Sequence, residues 1–185
     1  MMDIYILRHG QAENNINGKY GGRTDDELTQ IGLKEAYSAK EKLSYLQFDK
    51  VYSSPLKRAY NTAKIITDEP IIIDERLIER SNGSLEGRLK SEIKDKINFN
   101  DPNENKYGIE NVNHLKTRIK SFFDELTETF EGKNVLIVTH AGFIMYARGY
   151  FEGDPPNEDY QIYKIGNCEI IKYSYDKKTK VYKKC

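Results

Sequence analysis

Four short apolar runs, rich in isoleucine and valine, alternate along the chain with stretches of helical periodicity. The runs cover residues 3–8, 49–53, 70–74 and 134–139, and within them apolar residues follow one another rather than alternating with polar ones. This pattern is typical of strands that are buried on both faces of a parallel sheet. It predicts an α/β layered domain with a mostly parallel central sheet, which binds its ligand beyond the carboxyl ends of the strands.

Apolar or small residues spaced three or four apart predict two helices between these strands. The first follows Thr29, which is placed to cap it, and the second runs from Leu115 to Phe130. The polar, turn-rich residues 98–113 predict a surface excursion and not a domain boundary. Near the C-terminus the segments YQIYKI, CEIIKYSY and KVYKK predict further strands, with residues 176–178 turning the last hairpin.

Composition narrows the class of protein without naming a partner. A chain of 185 residues predicts one domain over residues 1–185, and its 29 Lys and Arg against 29 Asp and Glu leave no net field for nucleic acid or an anionic membrane. Cys168 and Cys185 lack metal-ligand spacing and indicate free thiols in a reducing compartment. The apolar runs are too short for a membrane span or a leader sequence, so we expect a cytoplasmic protein.

Two of the three histidines stand at matching places in the pattern. His9 follows IYILR and precedes Gly10, while His140 follows VLIVT and precedes Ala141 and Gly142. Each therefore comes at a strand end, before a small residue that lets the backbone approach a ligand closely. We expect the two imidazoles to meet at one rim of the sheet. His114 lacks this setting and is expected at a solvated helix position.

The neighbours of these histidines favour an anion over a metal ion. Two histidines leave a zinc site one protein ligand short, and Arg8, next to His9, would repel a dication. A guanidinium instead matches the oxygens of a phosphate. Arg58 is expected in the first turn of a helix that follows Pro55, and a helix N-terminus with an arginine is a second anion-binding element. Taken alone, Arg58 could equally be a surface residue.

Several motifs in order along the chain resemble those of the histidine phosphatase superfamily, which includes cofactor-dependent phosphoglycerate mutase and alpha-ribazole phosphatase. The motifs are RHG at 8–10, Asn15, YGGRTDDELTQIG at 20–32, SSPLKRAYNTA at 53–63, LIERSNGSLEG at 77–87, GIEN at 108–111 and VTHAG at 138–142. RHG alone is weak evidence, but the ordered set is specific. The resemblance implies a phosphoglycerate mutase-like fold, a single three-layer α/β/α domain, with no metal and no cofactor.

The same resemblance implies a role for each matching residue. His9 would be the phosphorylated nucleophile and Glu79 the proton donor, with Glu86 as the second candidate for the acid. Substrate-binding residues would be Arg8, Asn15, Gly21, Gly22, Arg58 and His140. Nearby cations would hold His9 unprotonated, and the two arginines with a protonated His140 would stabilise the transferred phosphoryl group. Without the motif, Glu79 would be interpreted as an exposed carboxylate paired with Arg80.

Departures from the mutases favour hydrolysis. Glu79 and His140 are separated by only 61 positions, residues 98–113 contain no arginine to grip a substrate carboxylate, and Asn82 stands where mutases have tyrosine. Gln11 replaces a common glutamate, and tryptophan is absent. We therefore predict a metal-independent phosphatase, acting through phosphohistidine on a small phosphorylated metabolite.

Two alternatives remain open, a mutase-type phosphoryl transferase and a noncatalytic module that binds phosphorylated ligands. Retention of a nucleophile and an acid argues against the module, since binding needs neither. The substrate cannot be deduced from the sequence. A homodimer through exposed tyrosines of the last strands is also a hypothesis.

Overall fold

The architecture follows from a sheet whose central strands are apolar on both faces. A computed structural model describes residues 1–94, 96–103, 106–130 and 132–185. In this part of the chain the strands are β1 (Met2–Arg8), β2 (Lys50–Ser53), β3 (Ile71–Ile73), β4 (Asn134–Thr139), β5 (Ile170–Asp176) and β6 (Val181–Lys184). The helices are α1 (Glu13–Ile16), α2 (Gln30–Leu43), α3 (Lys57–Ile66), α4 (Val112–Thr129) and α5 (Ala141–Glu152).

The sheet has the strand order β3-β2-β4-β1-β5-β6 and is mostly parallel. Strands β1 to β4 run parallel, whereas β5 pairs antiparallel with β1 and β6 antiparallel with β5. Helices α4 and α5 cover one face, where they pack on Ile4 and Ile6, and α2 and α3 cover the other, where they pack on Tyr5 and Leu7. The predicted three-layer α/β/α fold is therefore confirmed, and the unbroken apolar run of β1 has its explanation in burial on two sides.

Both predicted helices form. The Thr29 hydroxyl caps α2 by accepting a hydrogen bond from the Gly32 backbone N–H at 3.0 Å, as the sequence indicated. The second prediction corresponds to α4, in which His114 is exposed. None of the described helices is both long and apolar enough to cross a bilayer.

Three local predictions need correction. Residues Tyr160–Tyr163 form a 3₁₀ helix and not a strand, because the Asp159 side chain accepts from the Gln161 N–H at 3.1 Å and caps a tight turn. Strand β3 lies at the sheet edge with Ile72 and Ile73 exposed, so it is not buried on both faces. In the terminal strands Tyr173 and Tyr175 are buried in the core and are not the exposed residues that the sequence suggested, whereas Tyr182 of β6 is half-buried.

The predicted excursion at residues 98–113 is only partly a surface loop. Glu104 and Asn105 lie outside the described residues. Elsewhere in this stretch Ile109 is buried, α4 already begins at Val112, and Phe99 returns to line a cavity at the sheet edge. The excursion therefore contributes to the site.

Candidate active site

Neighbouring parallel strands bring the two histidines together. Arg8 pairs with Thr139 across β1 and β4, so His9 and His140 follow at the same level of the sheet. Their ring centroids lie 5.0 Å apart with an interplanar angle of 61°. The structure thus confirms that the two imidazoles lie close together. They do so because β1 and β4 are parallel and paired in register.

The contacts of His9 define its tautomer. Nδ1 lies 2.6 Å from the Gly10 carbonyl oxygen, which can only accept, so Nδ1 carries the hydrogen. Nε2 in turn accepts from Arg58 Nε at 3.2 Å. Burial, followed by the charge of Arg58, holds the pKa of His9 well below its usual range. His9 is therefore a neutral imidazole whose Nε2 is unprotonated and faces the Arg58 guanidinium.

His140 is held in the complementary state. The Ser54 hydroxyl accepts from the Leu56 N–H at 3.3 Å and lies 2.7 Å from His140 Nε2. Because Nε2 is the only acceptor for this buried hydroxyl among the described residues, its hydrogen points to that nitrogen. Nδ1 then carries the hydrogen, and this buried atom has no partner among the described residues. Burial and then Arg58 hold the pKa of His140 well below its usual range. The expected protonated His140 is thus not the form favoured in the ligand-free protein, although neutral His140 still offers one N–H donor.

The two arginines approach the histidines from different elements. Arg58, in the first turn of α3, is buried and donates to Asp26 Oδ1 at 2.8 Å and to the Gly22 carbonyl at 2.7 Å. Its interpretation as a surface residue is therefore wrong. Arg8 donates from Nη1 to the Ile165 carbonyl at 2.9 Å. Its buried Nε has no acceptor in the described part of the chain and is free to bind a ligand.

Asn15 and the two glycines lie on the opposite wall. The Asn15 side-chain oxygen accepts from the Ala12 N–H at 2.9 Å, and Gly21 and Gly22 also line the cavity. Gly22 has a φ of +55°, and a Cβ there would lie 2.4 Å from Glu86 Oε1. Only glycine fits this position without strain.

The two glycines near the histidines make room for neighbouring protein atoms, whereas Ala141, directly after His140, lines the cavity as expected. A Cβ on Gly10 would lie 2.5 Å from the Gly32 carbonyl oxygen of α2. A Cβ on Gly142 would lie 2.5 Å from Glu79 Oε1. Gly10 thus allows close helix packing, and Gly142 allows the carboxylate of Glu79 to reach the site.

Glu79 is anchored at the N-terminus of α5. Its Oε2 accepts from the Gly142 N–H and its Oε1 from the Phe143 N–H, both at 3.0 Å, and Oε1 also accepts from its neighbour's N–H at 2.8 Å. The Arg80 side chain points elsewhere, so the expected pairing of these two side chains does not form. Glu86 is occupied differently, because its Oε1 accepts from the N–H groups of Arg23 and Asn82 at 3.1 and 2.9 Å.

These groups surround one cavity of about 550 Å³. Of the predicted site residues, His140 contacts His9 behind the wall, while the others line the cavity directly. Lysines stand at its rim, so cations outnumber carboxylates around it. The lining side chains that the sequence analysis did not single out for the site include Lys19, Tyr20, Asp26, Lys90, Phe99, Lys164 and Asn167.

Further residues support the site without having been predicted. Asp26 pairs with Arg58, Ser54 orients His140, Thr62 accepts from the Gly10 N–H at 3.1 Å, and Asn167 donates to the His9 carbonyl at 3.0 Å. Ser54, Asp26 and Thr62 lie inside the quoted motifs, so the motifs contained a signal for them. Asn167 had none. Among the described residues, no group of three or more His, Cys, Asp or Glu is arranged to hold a metal ion.

Stability should fall on mild acidification because of the two buried imidazoles. Their folded-state pKa values lie well below 6.5, so below about pH 6.5 the unfolded chain binds protons that the folded chain does not, and folding loses up to ~1.4 kcal/mol per pH unit for each histidine. Urea unfolding between about pH 7.5 and 5.5 measures the slope. His9→Ala should reduce it, whereas His114→Ala, at an exposed position, should not. An unchanged slope in His9→Ala would contradict the assignment.

Comparisons with known proteins identify relatives of this chain. The family model described as histidine phosphatase superfamily (branch 1) matches residues 4–185. A probable phosphatase of Schizosaccharomyces pombe is 31% identical over 156 residues, which cover 81% of this chain and 73% of that protein. A 2,3-bisphosphoglycerate-dependent phosphoglycerate mutase of Cytophaga hutchinsonii is 32% identical over 169 residues, covering 84% of this chain and 79% of that protein.

A solved structure shows the same fold. The mycobacterial glucosyl-3-phosphoglycerate phosphatase superposes with a TM-score of 0.88 at 24% identity, covering all of this chain and 98% of that one. The sequence relatives therefore include both phosphatases and mutases, and the choice between these two reactions depends on the site itself.

Proposed function

Because the chain belongs to the histidine phosphatase superfamily, we propose that it is a metal-independent phosphatase that hydrolyses a small phosphomonoester through a phosphohistidine on His9. The observation that carries this proposal is the state of His9. Its Nδ1–H is bound to the Gly10 carbonyl, so the nucleophilic Nε2 is unprotonated on the cavity wall. A module that only binds phosphate gains nothing from such an arrangement.

Donors around His9 fit the charge of a phosphoryl group in transfer. Arg58 touches Nε2, Arg8 has a free buried Nε, and His140 has a free Nδ1–H. Phosphoryl transfer spreads negative charge over three equatorial oxygens, and fixed donors near them lower the barrier. The positive charges of the arginines lower the pKa of both imidazoles. An incoming phosphate dianion would offset those charges.

The first chemical step uses His9 and Glu79 on the two sides of the phosphorus. The Nε2 lone pair forms the N–P bond while the P–O bond to the leaving alcohol breaks. Protonated Glu79 donates its proton to the departing oxygen, so the product leaves as a neutral alcohol. The first turn of α5 holds the Glu79 carboxyl in place through Gly142 and Phe143.

The second step reverses the role of Glu79. Its carboxylate now takes a proton from a water molecule, whose oxygen forms a new P–O bond. The N–P bond breaks and its electron pair returns to Nε2 of His9, which releases inorganic phosphate and restores the neutral imidazole. Glu86 is not suited to this role, because it does not line the cavity that contains His9 and Glu79.

Hydrolysis is favoured over mutase transfer by the walls of the site. A mutase must retain its dephosphorylated product for retransfer, and residues 98–113 provide no arginine for that purpose. The cavity of about 550 Å³ has room for a small phosphomonoester and its product. The free thiols of Cys168 and Cys185 support the hypothesis of a reducing, cytoplasmic location.

The proposal is tested with p-nitrophenyl phosphate in the presence of a chelator. Turnover with release of inorganic phosphate supports a metal-independent phosphatase. Phosphate transfer to added 3-phosphoglycerate in place of release would support the mutase alternative. Tight phosphate binding without turnover would support the noncatalytic module.

Arg58→Ala should raise KM and also slow phosphohistidine formation, because a clamp on the transferred oxygens strengthens as their charge develops. A loss of about 10²–10³-fold in kcat/KM is expected for a preorganised donor of this kind. Single-turnover quench kinetics separate the two effects. Since the variant leaves Asp26 buried without its partner, Arg58→Lys serves as the control that keeps the charge. Unchanged kinetics in Arg58→Ala would exclude Arg58 from the clamp.

A further inference from the structure

The peptide group between His9 and Gly10 is held at both of its polar ends. Its N–H, which belongs to Gly10, donates to Thr62 Oγ1 at 3.1 Å, and its carbonyl, which belongs to His9, accepts from Asn167 Nδ2 at 3.0 Å. The orientation of this peptide determines where the next carbonyl, that of Gly10, lies. That carbonyl accepts from His9 Nδ1 at 2.6 Å and orients the ring. Two hydrogen bonds therefore link the Asn167 side chain to the direction of the His9 imidazole.

A bulge in the sheet explains why a side chain supplies this donor. The regular pairing of β1 with β5 ends at Leu7 and Ile170. Beyond it the Cys168 N–H donates to the Arg8 carbonyl at 3.0 Å, while the Arg8 N–H donates to the Glu169 carbonyl at 3.4 Å. Two residues of one segment thus oppose a single residue of the other, which is the pattern of a β-bulge. The segment before β5 therefore leaves β1 one residue short of the nucleophile.

The turn that precedes the bulge directs Asn167 toward the site. Cys168 has a φ of +50°, and the Glu169 N–H bonds back to the Gly166 carbonyl at 3.4 Å. Within the described part of the chain no main-chain N–H donates to the His9 carbonyl, and the Asn167 amide takes that place. A left-handed residue other than glycine costs free energy and persists where its surroundings require it. Bulges beside active sites commonly serve to re-aim a side chain.

Two roles compete for Asn167, because it also lines the main cavity with Arg8 and His9. One is direct contact with the substrate through its second amide hydrogen. The other is to hold the main chain of the nucleophile. The second role is favoured by the hydrogen bond that is already made to the His9 carbonyl. The same segment also holds Arg8, whose Nη1 donates to the Ile165 carbonyl at 2.9 Å.

We propose that Asn167 is a positioning residue for phosphoryl transfer, which holds the peptide between His9 and Gly10 so that Nε2 of His9 faces the phosphorus. The proposal rests on the proposed function, since that function makes Nε2 the nucleophile. A displacement of about 1 Å can cost ~10²-fold in rate. Removal of the Asn167 amide should therefore slow the chemical step and leave the arginine donors for phosphate in place.

The test compares Asn167→Ala with the natural protein. Phosphohistidine formation from p-nitrophenyl phosphate, measured by single-turnover quench, should slow about 10- to 100-fold, while the Kd for inorganic phosphate in isothermal titration calorimetry stays within about threefold. Asn134→Ala is the matched control and should change neither value. Asn134 Nδ2 donates to the Gln47 carbonyl at 3.0 Å at the start of β4, the end of that strand away from the site.

Two results of this comparison would overturn the proposal. The first is an unchanged rate of phosphohistidine formation in Asn167→Ala. The second is a phosphate affinity that falls by the same factor as the rate, because Asn167 would then be a substrate-binding residue.

The leaving group provides a readout that separates positioning from proton donation. Phenyl phosphate releases a more basic phenolate than p-nitrophenyl phosphate, so a damaged proton donor slows the phenyl ester more. A misdirected nucleophile slows both esters by the same factor. Equal losses are expected for Asn167→Ala. A larger loss for phenyl phosphate would assign the defect to Glu79 and overturn the proposal.

Asn167→Gln keeps the proposal testable if Asn167→Ala does not fold. Glutamine retains the amide donor but moves it by one methylene, about 1.5 Å, so phosphohistidine formation should be slower than in the natural protein. The full natural rate in this variant would overturn the proposal. Absence of phosphohistidine on the natural protein would contradict the proposed function, and this proposal with it. Normal labelling of the natural protein together with unaffected Asn167 variants would contradict this proposal alone.

Discussion

His9→Ala should lower turnover on the order of 10⁴-fold or more, the scale expected when a covalent nucleophile is removed, while phosphate binding partly survives. The two effects separate because different atoms are responsible. In the proposed mechanism Nε2 of His9 makes the covalent bond, whereas Arg8, Arg58 and His140 keep the N–H groups that we propose bind the phosphate oxygens. Alanine also removes a buried imidazole that is neutral in the folded protein, so the change deletes the nucleophile without deleting a charge.

The measurement is a rapid-quench experiment with ³²P-labelled substrate. Acid-labile phosphate should be trapped on the natural protein and not on His9→Ala, while equilibrium dialysis with labelled phosphate still detects binding. His114→Ala is the matched control, since His114 lies exposed on α4. Label recovered on any residue other than His9, including His140, would exclude the proposed intermediate.

Glu79→Gln should be selective for the kind of ester. An alkyl phosphate releases a strongly basic alkoxide and needs the proton donor, whereas an aryl phosphate releases a phenolate that is stable without it. For the alkyl ester we expect a loss of ~10²–10⁴-fold in phosphohistidine formation, the range typical of general acid catalysis. For the aryl ester the loss should be much smaller.

The informative quantity is the rate loss for the alkyl ester divided by the rate loss for the aryl ester. Both oxygens of Glu79 accept from N–H groups of α5, so the amide nitrogen of glutamine must face one of those donors and shift the side chain. That shift slows both esters by the same factor, and only the missing proton separates them. Single-turnover measurement avoids the second step, in which Glu79 acts as a base. Equal losses would make Glu79 a positioning residue. Glu86→Gln is the matched comparison and should show no such selectivity.

Local pattern was sufficient for the central strands and for the positions of His9 and His140. An unbroken apolar run such as β1 can be stable only with cover on both faces, so its sequence already indicates the three layers. The residue after such a strand must lie at the carboxyl edge of the sheet, which placed His9 and His140 correctly. The same reasoning failed for Tyr160–Tyr163, because a side-chain cap at Asp159 outweighs a β-favouring composition over so short a segment.

Contacts between distant parts of the chain decided the rest. Glu79 and Arg80 are adjacent in sequence, yet one carboxylate reaches α5 and the other side chain turns to Phe99, Glu110 and Tyr146. No periodicity encodes that divergence, because it depends on which donors and acceptors the folded chain brings near. Complete burial likewise set the neutral state of His140, against the expectation from residue type.

The sequence by itself therefore indicated the fold through its apolar runs, and it indicated the family and the candidate nucleophile through the resemblance of its ordered motifs. Only the tertiary structure decided the tautomers of the two histidines and the partners of each charge among the described residues. Those properties arise from solvent exclusion and from distances between residues as far apart as Ser54 and His140, and neither quantity is defined until the chain has folded.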